Sequence, residues 1–190
     1  MLDLKHRIVL ATGAAKRVGR AIALHFGESG AKTIIHFNKS KTEALEVKKL
    51  VEAMNCEAMI VSADLSPPVE CSQMRKAVLQ RFGHLDVLVN NAANFHMTSF
   101  DKGGDDQFEQ LISSSLATNL VAPIRMSRLF ADDLRNRQGA IINIVDIAGK
   151  IAWPEYVAHG AANAGLEHAT RVLATTLGGV LKFQRLHVSL

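Results

Sequence analysis

The 190-residue sequence predicts an α/β fold: an open, doubly wound, mostly parallel sheet with helices on both faces, in three α/β/α layers. Three observations predict it. Short apolar runs alternate with helix-period patterns along the whole chain. The runs are continuously apolar, which is how strands covered on both faces read. A glycine-bearing turn joins the first run to the first helical pattern, as when a strand feeds a crossover helix, and such crossovers are right-handed.

The elements follow in order. Arg7 to Ala11 (RIVLA) is the first strand; the next helix carries Val18, Ala21, Ile22 and Phe26 on one face until Gly27 and Gly30 stop it. KTIIHF is the second strand, with a helix from about Thr42 to Met54, and AMIVS is the third, with a helix from about Val69 to Phe82 ended by Gly83. LDVLVN is the fourth. Helices around Gln107 to Leu116 and from about Pro123 to Leu134 precede AIINIV, the fifth strand. A helix with Leu166, Ala169, Leu173 and Leu177 on one face leads to LHVSL, a sixth strand that has barely begun when the chain closes. No repeat or linker interrupts the pattern, so residues 1–190 are expected to form one domain with a sheet incomplete at its C-terminal edge.

Composition narrows the function classes. The net charge of +4 comes from scattered residues, with no basic run beyond pairs such as Lys16-Arg17 and Lys48-Lys49 and no interleaved aromatics, so nucleic-acid binding is not expected. Two distant cysteines, Cys56 and Cys71, argue against a disulfide framework or a metal site. The N-terminal apolar run is too short for a signal peptide and nothing approaches a membrane span, so a cytoplasmic protein is expected.

ATGAAKRVGRAIA (Ala11 to Ala23) leaves the first strand and enters the first helix. Gly13 permits a sharp turn, Gly19 a close helix-sheet approach, and the small Ala14 and Ala15 leave room for a pyrophosphate over the helix N-terminus. Thr12-Gly13 followed by Val18-Gly19, the NNAA of Asn90 to Ala93 and the NLVAP of Asn119 to Pro123 resemble the short-chain dehydrogenase/reductase family, in its order and spacing and over nearly the whole chain. TGAAKRVG, with Arg17 where most members have glycine, HFNKS after the second strand, ADLS at Ala63 to Ser66 and the Asp of IVD look like its pteridine reductase branch.

The resemblance implies a Rossmann-type dinucleotide site. A carboxylate after the second strand would select NAD, and none is there. His36, Asn38, Lys39 and Ser40 occupy that turn, joined by Arg17, and could hold a 2′-phosphate, which points to NADP(H); otherwise Lys39 and Ser40 are a solvated turn before a helix capped by Ser40 or Thr42. Asp64 matches the family position at the adenine, followed by Leu65, or is a turn carboxylate. Asn90 and Ala92 match the segment beside the cofactor ribose.

In this family a Tyr moves the proton at the substrate oxygen and a Lys one turn later tunes it, with a Ser or Asp at the fifth strand end and an Asn completing a relay. Asp146 and Asn119 match two of these. Thirteen residues after Asp146, where the tyrosine belongs, stands His159, and the lysine position holds Asn163. The only tyrosine, Tyr156, is out of register. Three readings stand: His159 is the proton donor, with Asn163 still bonding the ribose; Tyr156 substitutes poorly; or the site is lost and the chain binds cofactor without turnover. Family members usually continue into a substrate lid, a further helix and a seventh strand, so the resemblance implies a truncated member. The implied partners are a carbonyl or pterin-like small molecule and further copies of the chain, through helices at about Gln107 to Leu116 and Ala161 to Gly178.

Overall fold

The computed structural model describes residues 4–98, 104–177 and 182–188. Strand β1 (Ile8–Ala11) is followed by α1 (Arg17–Glu28), β2 (Lys32–Phe37), α2 (Lys41–Ala53), β3 (Ala58–Ser62), α3 (Pro68–Phe82) and β4 (Val87–Asn90). Then come α4 (Asp105–Leu116), a π-helical turn (Ala117–Val121), α5 (Ala122–Asn136), β5 (Ala140–Asp146), a short 3-10 turn (Ile147–Gly149), α6 (Val157–Leu177) and β6 (Lys182–Val188). The six strands are ordered β3-β2-β1-β4-β5-β6 and every pairing is parallel.

The continuous apolar strands have the expected cause. Ile8 and Leu10 of β1 point into a core shared with Met74 and Val78 of α3 and with Met126, Phe130 and Leu134 of α5. Val9 and Ala11 point the other way, into a core shared with Ala23 of α1 and with Val47 and Val51 of α2. Successive side chains serve opposite cores, so no strand position on β1 can be polar without a partner. Gly83 ends α3 in the left-handed region at φ 79°, as the sequence predicts.

Two expectations change. The sixth strand does not begin at LHVSL: β6 starts at Lys182 and pairs along β5 from Ala140↔Lys182 to Asp146↔Val188, a full-length partner. The helix expected to stop at Gly27 runs through it to Glu28, and Gly30, at φ 80°, makes the turn.

At the N-terminal end of the sheet, opposite the strand ends that matter for function, Asp86 is buried at 1% exposure. It accepts from the Ile8 N–H (2.9 Å), Arg7 Nη1 (2.8 Å) and Arg137 Nε (3.2 Å). Burial alone would push its carboxyl up, but the Ile8 N–H and the two guanidiniums prevail and hold it below the usual carboxylate range.

Candidate cofactor cleft and active site

The strand order reverses between β1 and β4, and a cleft opens beyond the C-terminal ends of the strands there, where open α/β sheets bind ligands. It encloses about 610 Å³. One end is lined by the β1–α1 turn (Gly13, Ala15, Lys16, Arg17, Val18, Gly19), the β2–α2 turn (His36, Asn38, Lys39, Ser40) and the β3–α3 loop (Asp64, Leu65, Ser66); the other by Asn91 to His96, Ser114, Thr118 and His159.

Close approach of backbones builds the first end. Gly13 has φ 62°, and a Cβ there would lie 2.9 Å from Ala92 Cα. A Cβ on Gly19 would strike the Gly13 carbonyl and come within 2.5 Å of Asn91 Nδ2. Helix α1 starts at this point with no side chain capping it, so the N–H groups of Arg17, Val18 and Gly19 face an anion site. Arg17 itself sits at φ 49°, in the left-handed region that glycine enters without strain. Lys16 is committed to Glu43 at 2.7 Å, whereas Arg17 and Lys39 have no acidic partner among the described residues. Ser40 occupies the N-cap position of α2 without capping it, leaving its hydroxyl open to a ligand.

Three residues expected to touch the ligand have their polar atoms engaged within the fold. His36 is buried at 2%; its Nδ1 accepts from the Gly13 N–H (3.0 Å), so its Nε2–H donates to the Ala63 carbonyl (3.0 Å). Burial pushes it down to about 4, against a weaker upward pull from the Ala63 bond and Asp64. A neutral ring with both nitrogens used cannot supply a charge-assisted bond to a 2′-phosphate. Thr12, at 1% exposure, accepts from the Asn91 and Ala92 N–H groups (2.9 and 3.0 Å) and does not line the cleft. Asn90 turns into the sheet-helix interface, donating to Asn143 Oδ1 at 2.8 Å; its neighbour Asn91 is the one that faces the cleft, donating to the Thr12 and Gly13 carbonyls (2.9 and 3.2 Å).

At the other end, His159 borders the cleft with only 1% of its surface exposed, while Asp146, Asn119 and Asn163 stand behind it. Asn119 lies in the π-helical turn, an irregularity often found at functional sites. Its amide is fixed from both sides: Oδ1 accepts from the Asn94 N–H (2.9 Å) and Nδ2 donates to the Asn94 carbonyl (2.8 Å). The remaining Nδ2 hydrogen points at His159 Nδ1, 3.3 Å away, and Asn163 Nδ2 stands at the same distance from His159 Nε2, so an amide donor faces each ring nitrogen. Nε2 lies 3.5 Å from Asp146 Oδ2, a buried oxygen with no hydrogen-bond donor of its own among the described residues, while Asp146 Oδ1 accepts from the Ala148 N–H at 2.7 Å.

Asn163 is bonded on both sides within the fold. Its Oδ1 accepts from the Asp146 N–H (2.7 Å) and its Nδ2 donates to the His159 carbonyl (3.0 Å), so its amide ties β5 to α6. Tyr156 is not among the residues lining the cleft. It stacks on Phe95, with centroids 4.5 Å apart and planes at 22°. Phe95, which sequence reasoning missed, is 41% exposed, lines the cleft and packs edge-on against His159 at 4.8 Å. The loop carrying it is fastened to the start of α6, since the Thr98 N–H donates to the Glu155 carbonyl (2.6 Å) and Thr98 Oγ1 accepts from the Ala158 N–H (3.3 Å). An exposed aromatic just after the NNAA turn was the available signal. Among the described residues no group of three or more His, Cys, Asp or Glu gathers to hold a metal, and no helix is long and apolar enough to cross a membrane.

A parallel sheet in this order, with an uncapped helix N-terminus beneath a glycine turn, defines a dinucleotide-binding protein of the Rossmann type. The chain belongs to the short-chain dehydrogenase family, whose pattern it matches over residues 7–180. It is 30% identical to the 3-oxoacyl-[acyl-carrier-protein] reductase of Synechocystis sp. over 93% of this chain and 70% of that protein. Its fold superposes on a short-chain dehydrogenase from Burkholderia cenocepacia in complex with NADP with a TM-score of 0.89 at 30% identity, covering 98% of this chain and 75% of that one. A metagenomic short-chain oxidoreductase in complex with NADP gives a TM-score of 0.89 at 26% identity, covering 98% and 83%.

Proposed function

We propose that this chain binds NADP(H) and reduces a carbonyl or a pteridine-like imine, with His159 at the family's tyrosine position holding the proton. NADPH, when bound, supplies the hydride. The pyrophosphate would rest on the Arg17, Val18 and Gly19 N–H groups, with Arg17, Lys39, Ser40 and Asn38 around the 2′-phosphate and Asp64 at the adenine. NADP in two of the relatives above supports this choice. The pteridine-like branch draws support from the left-handed Arg17 and from the open face of Phe95, against which a planar ring can stack.

The observation that carries the reading is that His159, alone of the four candidate catalytic residues, lines the cleft, with the unpartnered Asp146 Oδ2 at 3.5 Å from its Nε2. Asp146 is the counter-charge for the ring, and Asn119 orients it through Nδ1. To deliver a proton to a substrate oxygen the ring must first take one up, so that the imidazolium gives it away and returns to the neutral form with Asp146 as counter-charge, and it must turn about Cβ–Cγ, because both nitrogens face inward at rest. Turnover is therefore expected to be slow, by roughly two to four orders of magnitude against a positioned acid.

The same inward engagement favours a second reading, an NADP-binding subunit without turnover, assembling with copies of itself through α4 and α6. A fluorescence titration with NADPH and NADH, followed by single-turnover oxidation of bound NADPH with a dihydropterin and a quinone-type carbonyl, separates the two. Oxidation that vanishes in His159→Phe with NADPH affinity unchanged supports the reductase. Binding without oxidation leaves the second reading, and binding of neither nucleotide refutes both.

A further inference from the structure

We propose that Arg125, on the first turn of α5, is a positioning residue for the adenine end of the cofactor, holding the Asp64–Ser66 loop in its binding shape; this rests on the NADP(H) reading above. Its Nη1 donates to two consecutive carbonyls, Leu65 O at 2.8 Å and Ser66 O at 2.9 Å. Consecutive carbonyl dipoles aimed at one point repel each other, and a charged donor at their focus offsets that repulsion with two charge-assisted bonds. Arg125 has no carboxylate partner among the described residues, although α5 also carries Asp133, which pairs with Arg75 at 2.7 Å. Its charge is spent on loop geometry.

The other groups around the loop act in the same sense. Glu70, in the first turn of α3, accepts from the Asp64 N–H at 2.6 Å. Burial pushes the Cys71 thiol up, so it keeps its hydrogen and donates to the Leu65 carbonyl at 3.3 Å. Asp64 Oδ1 accepts from the Ser66 N–H at 2.8 Å, which fixes the direction of the carboxylate that faces the cleft. The backbone groups that orient Asp64 are therefore held by α3, by α5 or by Asp64 itself, and among the described residues Arg125 is the cation bonded to them. It lies outside the cleft lining, so its influence on a nucleotide passes through the loop.

The test compares wild type, Arg125→Met, Arg125→Lys, Asp64→Ala and the Asp64→Ala/Arg125→Met double variant, titrated with NADPH and with 2′,5′-ADP. Arg125→Met is expected to weaken both ligands about tenfold, the size of one lost charge-assisted bond. Arg125→Lys, which keeps one donor to the carbonyls, recovers part of the loss. The double variant binds no worse than the weaker single variant, because both changes remove one contribution. Equal affinity in wild type and Arg125→Met, or full additivity in the double variant, overturns the proposal. Amide hydrogen exchange of the ligand-free proteins runs alongside: faster exchange at Asp64 and Ser66 in Arg125→Met establishes the clamp, and unchanged exchange overturns it. Failure of wild type to bind either ligand refutes the NADP(H) reading and the adenine role with it, a result distinct from a change confined to the variants.

Discussion

Lowering the pH should loosen the cleft through His36. Folding takes this ring from 6.5 to about 4, because burial disfavours the charged form. Between those values the unfolded chain binds a proton that the folded chain does not, so stability rises with pH across the window. The contribution is fully present above about 6.5 and is lost as pH falls toward about 4. At about 1.4 kcal/mol per unit the whole window is worth roughly 3 kcal/mol, of which roughly 2 kcal/mol is gone at about pH 5. Protonation also abolishes the Nδ1 acceptor that holds the Gly13 N–H, so the nucleotide cradle loosens as the ring charges. The assay is urea unfolding of wild type and His36→Asn from pH 7 to pH 4.5, with NADPH affinity measured at each pH. The wild type should lead at pH 7 and the gap should narrow by about 2 kcal/mol as pH falls. A gap that stays constant with pH would refute the account of a neutral, buried His36.

Gly19→Ala should abolish NADPH binding, read by fluorescence titration, while far-UV dichroism stays near native, because the atoms nearest the new methyl, the Gly13 carbonyl, Asn91 Nδ2 and Ala14 Cα, all belong to the cleft and its turn. Arg17→Gly should change unfolding free energy by less than about 1 kcal/mol, since relief of the left-handed strain offsets added chain entropy, yet should bring NADPH and NADH affinities together. Asp86→Asn should cost roughly 3 kcal/mol by denaturant unfolding, since two guanidiniums lose their buried counter-charge, and should leave the nucleotide affinity of the folded protein intact.

Much of the architecture is legible in the sequence because it rests on patterns that one residue cannot upset. Strands β1 to β5 read as apolar runs because both cores need them, and Gly13 and Gly19 read as a turn because no side chain fits there. What the sequence hides depends on a single step of strand alternation. Leu88 points toward α5, so Asn90, two residues on, points the same way and meets Pro123 and Ser127, while Asn91 turns out to the cleft. The motif contains both asparagines, and only the parity of β4 separates them. His36 shows the same limit: its position beside the 2′-phosphate turn is readable, but the burial that keeps it neutral depends on contacts with Gly13 and Ala63 from two other strand ends. Asn163 falls on the expected helix, but its amide bonds to the backbone of Asp146 and His159, contacts that no motif announces. Arg125 carries no motif at all.

The fastening of Thr98 to Glu155 and Ala158 makes the loop after β4 and the start of α6 a single mechanical piece. On one side it offers Phe95 to whatever enters the cleft; on the other, through Asn94, it grips the Asn119 amide that stands 3.3 Å from His159 Nδ1. In the reductase proposed above, a ring pressing on Phe95 would therefore disturb the amide beside the acid, and recognition of the guest and readiness of the acid would share the same short length of loop.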